Sequence, residues 1–217
     1  MSNLKIRIHS IQECSIGYGQ RLGIWLQGCN LACPGCSSQD TWAVESENEM
    51  PWPMLAATLE FMLSMRSFDG VTISGGEPFQ QKEALKVLLK AVRAIQNNLA
   101  ADWDIILYSG YNYNEIADNK DILSEIDLLV AGRYNMNLPK SDLRGSSNQT
   151  LHWFTNRAKD RYSVVWLADT ANTKTINLSR INDSIVWTGL PEQGDLEKLE
   201  ELLKSQGIVW KEVSWHR

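Results

Sequence analysis

Three cysteines fall within the nine residues Gly28-Cys29-Asn30-Leu31-Ala32-Cys33-Pro34-Gly35-Cys36, in a C-x3-C-x2-C spacing. Thiolates this close together can grip several metal atoms from one side. Four thiolates saturate a cubane iron–sulfur cluster; three leave one iron free to take another ligand. An iron with a vacancy points to chemistry rather than to electron storage alone. Asn30, Pro34 and Gly35 suit a loop wrapped round a cluster, which needs turns and close backbone approach. Three other readings stand beside this one. Free cysteines are often buried as small apolar residues. A structural zinc site wants four ligands, so Cys14 or a distant histidine would have to join. A disulfide framework belongs to smaller, cysteine-richer secreted chains. Three of the chain's 4 cysteines sit in this one loop, which favours the cluster.

A second stretch, Gly75-Gly76-Glu77-Pro78, follows a short apolar strand and precedes a helix. Two glycines remove side chains where a small ligand must touch the backbone, and Pro78 stiffens the exit. Such a turn is common on its own; one βα unit downstream of a three-cysteine loop, it becomes informative. Tyr108-Ser109-Gly110-Tyr111 ends a later strand in the same way. Arg144-Gly145-Ser146-Ser147-Asn148-Gln149 has two readings. Arg144, Ser146, Ser147 and Asn148 line the site, or the serines and Asn148 cap a turn while Arg144 pairs with a surface acid. Cys14 reads as a buried small residue, and His9, His152 and His216 as structural or exposed.

The elements that must position these residues follow from periodicity. Residues 4–11 alternate apolar and polar side chains as a strand does, and 21–27 form a second strand running into the cysteine loop. Pro51 and Pro53 open a helix that carries Leu55, Leu59, Met62 and Leu63 to about Met65. Strands are expected at Val71–Ser74, Trp103–Tyr108 and Ile126–Ala131, with a long amphipathic helix over Gln81–Leu99 and a brief one over Asn114–Asn119. Strands alternating with helices imply βα units and a mostly parallel sheet. Ligands then sit at the carboxyl ends of the strands, where the cysteine loop, the double glycine and Tyr108 all fall. After Gln149 the pattern changes. Strands at Ser163–Ala168, Thr173–Leu178 and Ser184–Thr188 lie close together, followed by a helix with Leu196, Leu199, Leu202 and Leu203, ended by Gly207, and a last strand at Ile208–Val213. The division is an α/β core over 1–150 and a small α+β extension over 151–217.

At 217 residues, with 43% hydrophobic and 22% charged residues, the composition is that of an ordinary globular protein. The net charge is −5 and no basic stripe appears, which argues against a nucleic-acid partner. The N-terminus has no secretory apolar core, and no apolar run approaches membrane-spanning length. The expectation is a cytoplasmic protein without a membrane partner. Of the 9 tryptophans, Trp42 is close enough in sequence to shield the cysteine loop.

The cysteine loop and the Gly-Gly-Glu-Pro turn together resemble the radical SAM superfamily. Cys33-Pro34-Gly35-Cys36 with Trp42 shortly after, Tyr108-Ser109-Gly110-Tyr111, Asp127-Leu128-Leu129-Val130 and the Arg144–Gln149 hexapeptide narrow this to single-cluster activating enzymes of anaerobic ribonucleotide reductase. The likeness covers residues 12–150. It implies a partial (β/α) barrel and an enzyme, a radical SAM oxidoreductase. Cys29, Cys33 and Cys36 would bind a [4Fe-4S] cluster whose open iron takes S-adenosylmethionine (SAM). Gly35, Cys36, Ser37, Gly75, Gly76, Glu77 and Tyr108 would bind that cofactor. Reductive cleavage would give methionine and a 5′-deoxyadenosyl radical, which takes hydrogen from a substrate; no residue is assigned as a general acid or base. The implied partners are a glycyl radical enzyme and a flavodoxin- or ferredoxin-like reductant. The alternative keeps the cofactor and changes the target to another peptide, protein or small molecule. An iron–sulfur electron-transfer module is the rival from another class. Three departures bear on the substrate. Gly35, as in the activases, stands where the wider superfamily commonly has an aromatic residue near the adenine, which passes the shielding role to Tyr108 or Trp42. Ala131-Gly132-Arg133 replaces an acidic residue before Gly-Lys, and Gly17-Tyr18-Gly19 replaces Gly-Pro-Gly. If Trp42 shields the base, Trp42→Ala weakens SAM binding in equilibrium dialysis; unaltered affinity transfers the role to Tyr108.

Overall fold

The computed structural model describes residues 4–44, 46–163, 176–181, 184–191, 194–208 and 213. A mixed sheet of seven strands, in the order β3-β1-β2-β4-β5-β6-β7, carries the molecule. Its centre is parallel: β2 (Arg21–Leu26), β4 (Gly70–Gly75), β5 (Asp104–Ser109) and β6 (Leu128–Ala131) follow one another in register. Its flanks are antiparallel. β1 (Lys5–Cys14) returns alongside β2 because residues 15–20 between them are too few for a crossover. β3 (Glu49–Pro51) pairs antiparallel with β1, and β7 (Thr150–Trp153) with β6. The sheet therefore continues past residue 150, and α5 (Asn156–Arg161) follows directly.

The two faces of the central strands do different work. Leu22, Ile24, Leu26, Val71, Ile73, Ile105, Leu107 and Leu129 face the helices and form the main core. α1 (Trp52–Met65) buries Leu55, Leu59 and Leu63, a stripe at i, i+4, i+8. It starts at Pro51 with Pro53 in its first turn, where a missing amide costs nothing. α2 (Lys82–Asn98) buries Leu85, Leu88, Leu89, Val92 and Ile95. α3 (Tyr113–Ile116) and α4 (Lys120–Leu123) are single turns that add Ile116 and Ile122 to this layer. The opposite face presents Trp25, Ile106, Tyr108, Leu128 and Val130 to smaller apolar groups. Gly23 leaves the space over which the Trp25 ring lies, for a Cβ there would meet the indole at 1.8 Å.

Beneath that second face a buried ion pair closes the amino ends of the strands. Arg21, fully buried, reaches Asp104 Oδ1 at 2.6 Å, and also donates to Thr72 Oγ1, Val71 O, Tyr18 O and Tyr162 Oη. Arg161 and Tyr162, at the end of α5, bond to Asp104 from the other side. A buried pair is worth its desolvation cost only when its donors and acceptors are filled, and here β2, β4, β5 and α5 supply the partners.

Beyond α5 the described residues form a hairpin, β8 (Ile176–Ile181) with β9 (Ser184–Gly189), and α6 (Asp195–Ser205). Ser15 Oγ donates to Asn177 Oδ1 and ties the hairpin to the end of β1. The strands expected at Ser163–Ala168 and Ile208–Val213 fall outside the described residues except at their ends. No helix of the described residues is long and apolar enough to cross a membrane. Arg21→Met removes one partner of the buried pair, and a loss of about 3 kcal/mol is expected in urea unfolding; an unchanged midpoint would show that Arg161 and Tyr162 suffice for Asp104.

Candidate cluster and cofactor site

The cysteine loop leaves the carboxyl end of β2 and is pinned at both ends. Gly28 N donates to Thr41 O (2.7 Å) and Cys29 N to Trp42 O (3.0 Å), so the loop's exit folds back over its entry. The buried Gln27 amide fixes the same closure, donating to Asp40 O (3.1 Å) and Ala43 O (2.7 Å). Within the loop, Cys36 N donates to Cys33 O (3.1 Å), and Gln80 Nε2 bonds to Asn30 Oδ1.

The glycine turn at the end of β4 meets this loop backbone to backbone. Gly76 N donates to Leu26 O at 2.7 Å and Glu77 N to Gly28 O at 2.9 Å. A Cβ on Gly76 would lie 2.3 Å from Gly28 O, and one on Gly75, which has φ +104°, 2.3 Å from Leu26 N. The glycines therefore make room for the chain's own backbone. Both glycines also line the cavity beside the cysteine loop.

Glu77 is fully buried and joins a third strand end to the first two. It accepts from Phe79 N (3.0 Å), Ser109 Oγ (2.9 Å) and Gly110 N (2.7 Å). Burial pushes its carboxyl above the usual range, and the bonds from Phe79, Gly110 and Ser109 pull it back. Both oxygens are thus engaged by the protein.

These strand ends surround one cavity of about 390 Å³, within the usual size of a small-molecule site. Cys29, Cys33, Gly35, Cys36 and Ser37 line it from the loop, Gly75, Gly76 and Glu77 from the turn, and Tyr108 from β5. Trp42 lines it as well and bonds to Cys36 through its side chain. Burial pushes the Cys29 and Cys36 thiols up; bonds from the backbone at Leu31 and Ala32 oppose this at Cys29, and from Ser38 at Cys36. Donors to sulfur are what a metal-bound thiolate requires. All four cysteines are free of disulfides. Among the described residues no three His, Cys, Asp or Glu side chains gather as ligands of a single ion. A cubane suits such a loop, because each of its thiolates takes a different iron. The donor set fits the cluster.

Tyr108 donates to Leu143 O at 2.7 Å, and burial pushes its phenol up, so it stays neutral. Arg144 turns away from the cavity: it pairs with Asp142 (2.8 Å) and donates to Ser141 Oγ. Asn148 donates to Arg133 O, and Ser146 Oγ accepts from Asn135 N. The hexapeptide is therefore mainly a turn bonded to the preceding loop, of which Gly145 and Gln149 reach the cavity. Sequence reasoning missed Ile16, Trp25, Tyr134 and Met136 on the wall, and Leu190 and Leu196 from the extension. The alternation Leu22, Ile24, Leu26 against Gly23, Trp25 carried a signal for Trp25. Nothing local marks Leu190.

Residues 15–152 match the model of a family described as a 4Fe-4S single cluster domain. The chain belongs to this family. It is 32% identical over 139 residues to the anaerobic ribonucleoside-triphosphate reductase-activating protein of Enterobacteria phage T4, covering 62% of this chain and 85% of that one. The protein of the same description from Pasteurella multocida is 31% identical over 64% of this chain and 90% of its own. A pyruvate formate-lyase-activating enzyme of Clostridium pasteurianum is 35% identical over 54% of this chain and 50% of its own length. The family description names a single [4Fe-4S] cluster, and each of these relatives is described as an activating protein or enzyme. In Glu77→Gln an amide NH2 would have to face one of the N–H or O–H donors. A loss of about 2 kcal/mol, or about 5 °C in the melting temperature of the cluster-free protein, is expected under anaerobic reducing conditions; an unchanged melt would remove Glu77 from the tie between strand ends.

Proposed function

We propose that this chain installs a glycyl radical on a partner enzyme, with Cys29, Cys33 and Cys36 holding the cluster by three of its irons. The observation that carries the reading is the meeting of the three thiols, the glycine turn and Tyr108 on one cavity at the strand ends. Held in this cavity, the reduced cluster and SAM would supply a 5′-deoxyadenosyl radical, with methionine as the other product of one-electron cleavage of the sulfonium. The chain's residues orient and enclose this chemistry. The loop residues Gly35, Cys36 and Ser37 and the turn at Gly75–Gly76 line the cavity and would hold SAM against the cluster largely through their backbone. Glu77 holds that turn by its bonds to Phe79, Ser109 and Gly110. Trp25, Trp42, Tyr108 and Met136 exclude water from the cavity, which protects a radical from side reactions. Hydrogen leaves the substrate as an atom, so the site needs no general base, and Glu77, already committed to three donors, is not one.

The named relatives support a reductase of the anaerobic ribonucleotide type as the glycyl radical partner. A flavodoxin- or ferredoxin-like protein would supply the electron, in a reducing compartment such as the cytoplasm. The strands and helices up to the end of α5 would form a partial barrel round the cofactors, with the extension packed on it. A second reading, modification of another peptide, protein or small molecule, is favoured by the cavity-lining residues beyond the matched region.

The test is anaerobic reconstitution with iron and sulfide, reduction, and assay of 5′-deoxyadenosine with SAM, followed by addition of the cognate reductase. Wild type should cleave SAM and raise a glycyl-type EPR doublet on the partner, and Cys33→Ala should do neither. Cleavage without a doublet favours the second reading, and a fully assembled cluster without cleavage overturns both.

A further inference from the structure

The cavity has a lining of two chemically different kinds. The thiols of the cysteine loop line it, and so do Ile16, Trp25 and Tyr108, which pack together as an apolar cluster. Leu190 packs against that apolar cluster and also lines the cavity. It follows directly on β9, and Leu196, buried in the first turn of α6, lines the cavity with it. Both residues lie beyond the region that matches the family, which ends at residue 152. The segment is held there by the Ser15–Asn177 bond between β1 and β8, and by the packing of Leu190 itself.

SAM is similarly two-ended. Its amino and carboxylate groups are ionic, and its adenine is a flat ring whose faces are best covered by apolar or aromatic side chains. If the cluster held by Cys29, Cys33 and Cys36 takes the ionic groups of SAM, the apolar part of the lining is what remains for the base. We propose that the C-terminal extension is part of the cofactor site: Leu190 completes, with Trp25 and Tyr108, the apolar surface that takes the adenine of SAM. The inference rests on the reading of the cavity given under Proposed function. It assigns the extension a role in cofactor affinity, distinct from any role in recognising a partner.

The test is a graded series, Leu190→Val and Leu190→Ala, in the full chain with its cluster reconstituted. Affinity for SAM and for S-adenosylhomocysteine is read by equilibrium dialysis, with iron per chain and the thermal midpoint measured alongside. Affinity is expected to fall about twofold for valine and about tenfold for alanine, as a loss of apolar contact implies, with iron content unchanged. Leu202→Ser, on an exposed position of α6 (59% exposed), should bind as wild type does. Equal affinities across wild type, valine and alanine would overturn the proposal while leaving the cofactor site standing. A wild type that assembles its cluster and binds neither ligand would instead overturn the function on which the proposal rests. The valine variant keeps a branched side chain, so it reports on binding even if the alanine variant loses its fold.

Discussion

The structure depends on a contact between two stretches of bare backbone. Where β4 ends, Gly75 and Gly76 lie against Leu26 and Gly28 at a distance no Cβ would tolerate, and two backbone hydrogen bonds seal the contact. The cysteine loop begins at Gly28, so its position relative to the sheet is set here. Glu77 extends the tie to β5 through Ser109 and Gly110. Three adjacent parallel strands thus end in one hydrogen-bonded rim. A loop that must hold a multi-atom cluster at fixed geometry needs such a rigid support, because side chains alone leave too much freedom.

The remaining architecture serves that rim. Helices α1 to α4 cover one face of the sheet, and the other face carries the cavity. The Arg21–Asp104–Tyr162 network closes the opposite end of the strands with a polar cluster whose bonds come from β2, β4, β5 and α5. The cavity is therefore floored by a rigid sheet, mouthed by the cysteine loop and walled by the turn around Gln149. Burial raises the thiols of Cys29 and Cys36; ligation by iron would give these sulfurs the positive partner that the protein withholds.

Much of this was legible in the residues. The cysteine spacing and the glycine turn located the site because both are local patterns, and strand–helix alternation put them at the same end of the sheet. The helical stripes Leu55, Leu59, Leu63 and Leu85, Leu88, Val92 identified the covering layer. The short gap between Cys14 and Arg21 contained the antiparallel start of the sheet, although alternation alone implied a mostly parallel sheet without saying which strands depart from it. β7 was missed because Thr150-Leu151-His152-Trp153 is a half-polar edge strand whose pairing with β6 is a long-range fact. The contact of the double glycine with Leu26 and Gly28 carried no local signal because those neighbours are distant in sequence. Of the two readings of Arg144, the pairing with an acid is the one found, because Asp142 and Ser141 are within its reach and claim it. Leu190 carried no signal, since a tertiary hairpin alone brings it to the cavity.

The central claim is that three cysteines leave one iron open for SAM. It is tested most directly by the EPR spectrum of the reduced, reconstituted protein with and without SAM. The account predicts that SAM changes the cluster signal of wild type, and that SAM labelled with a magnetic nucleus at its amino nitrogen shows coupling to the cluster. A fully reduced cluster whose signal is unaltered by saturating SAM, with no coupling to the label, would contradict it.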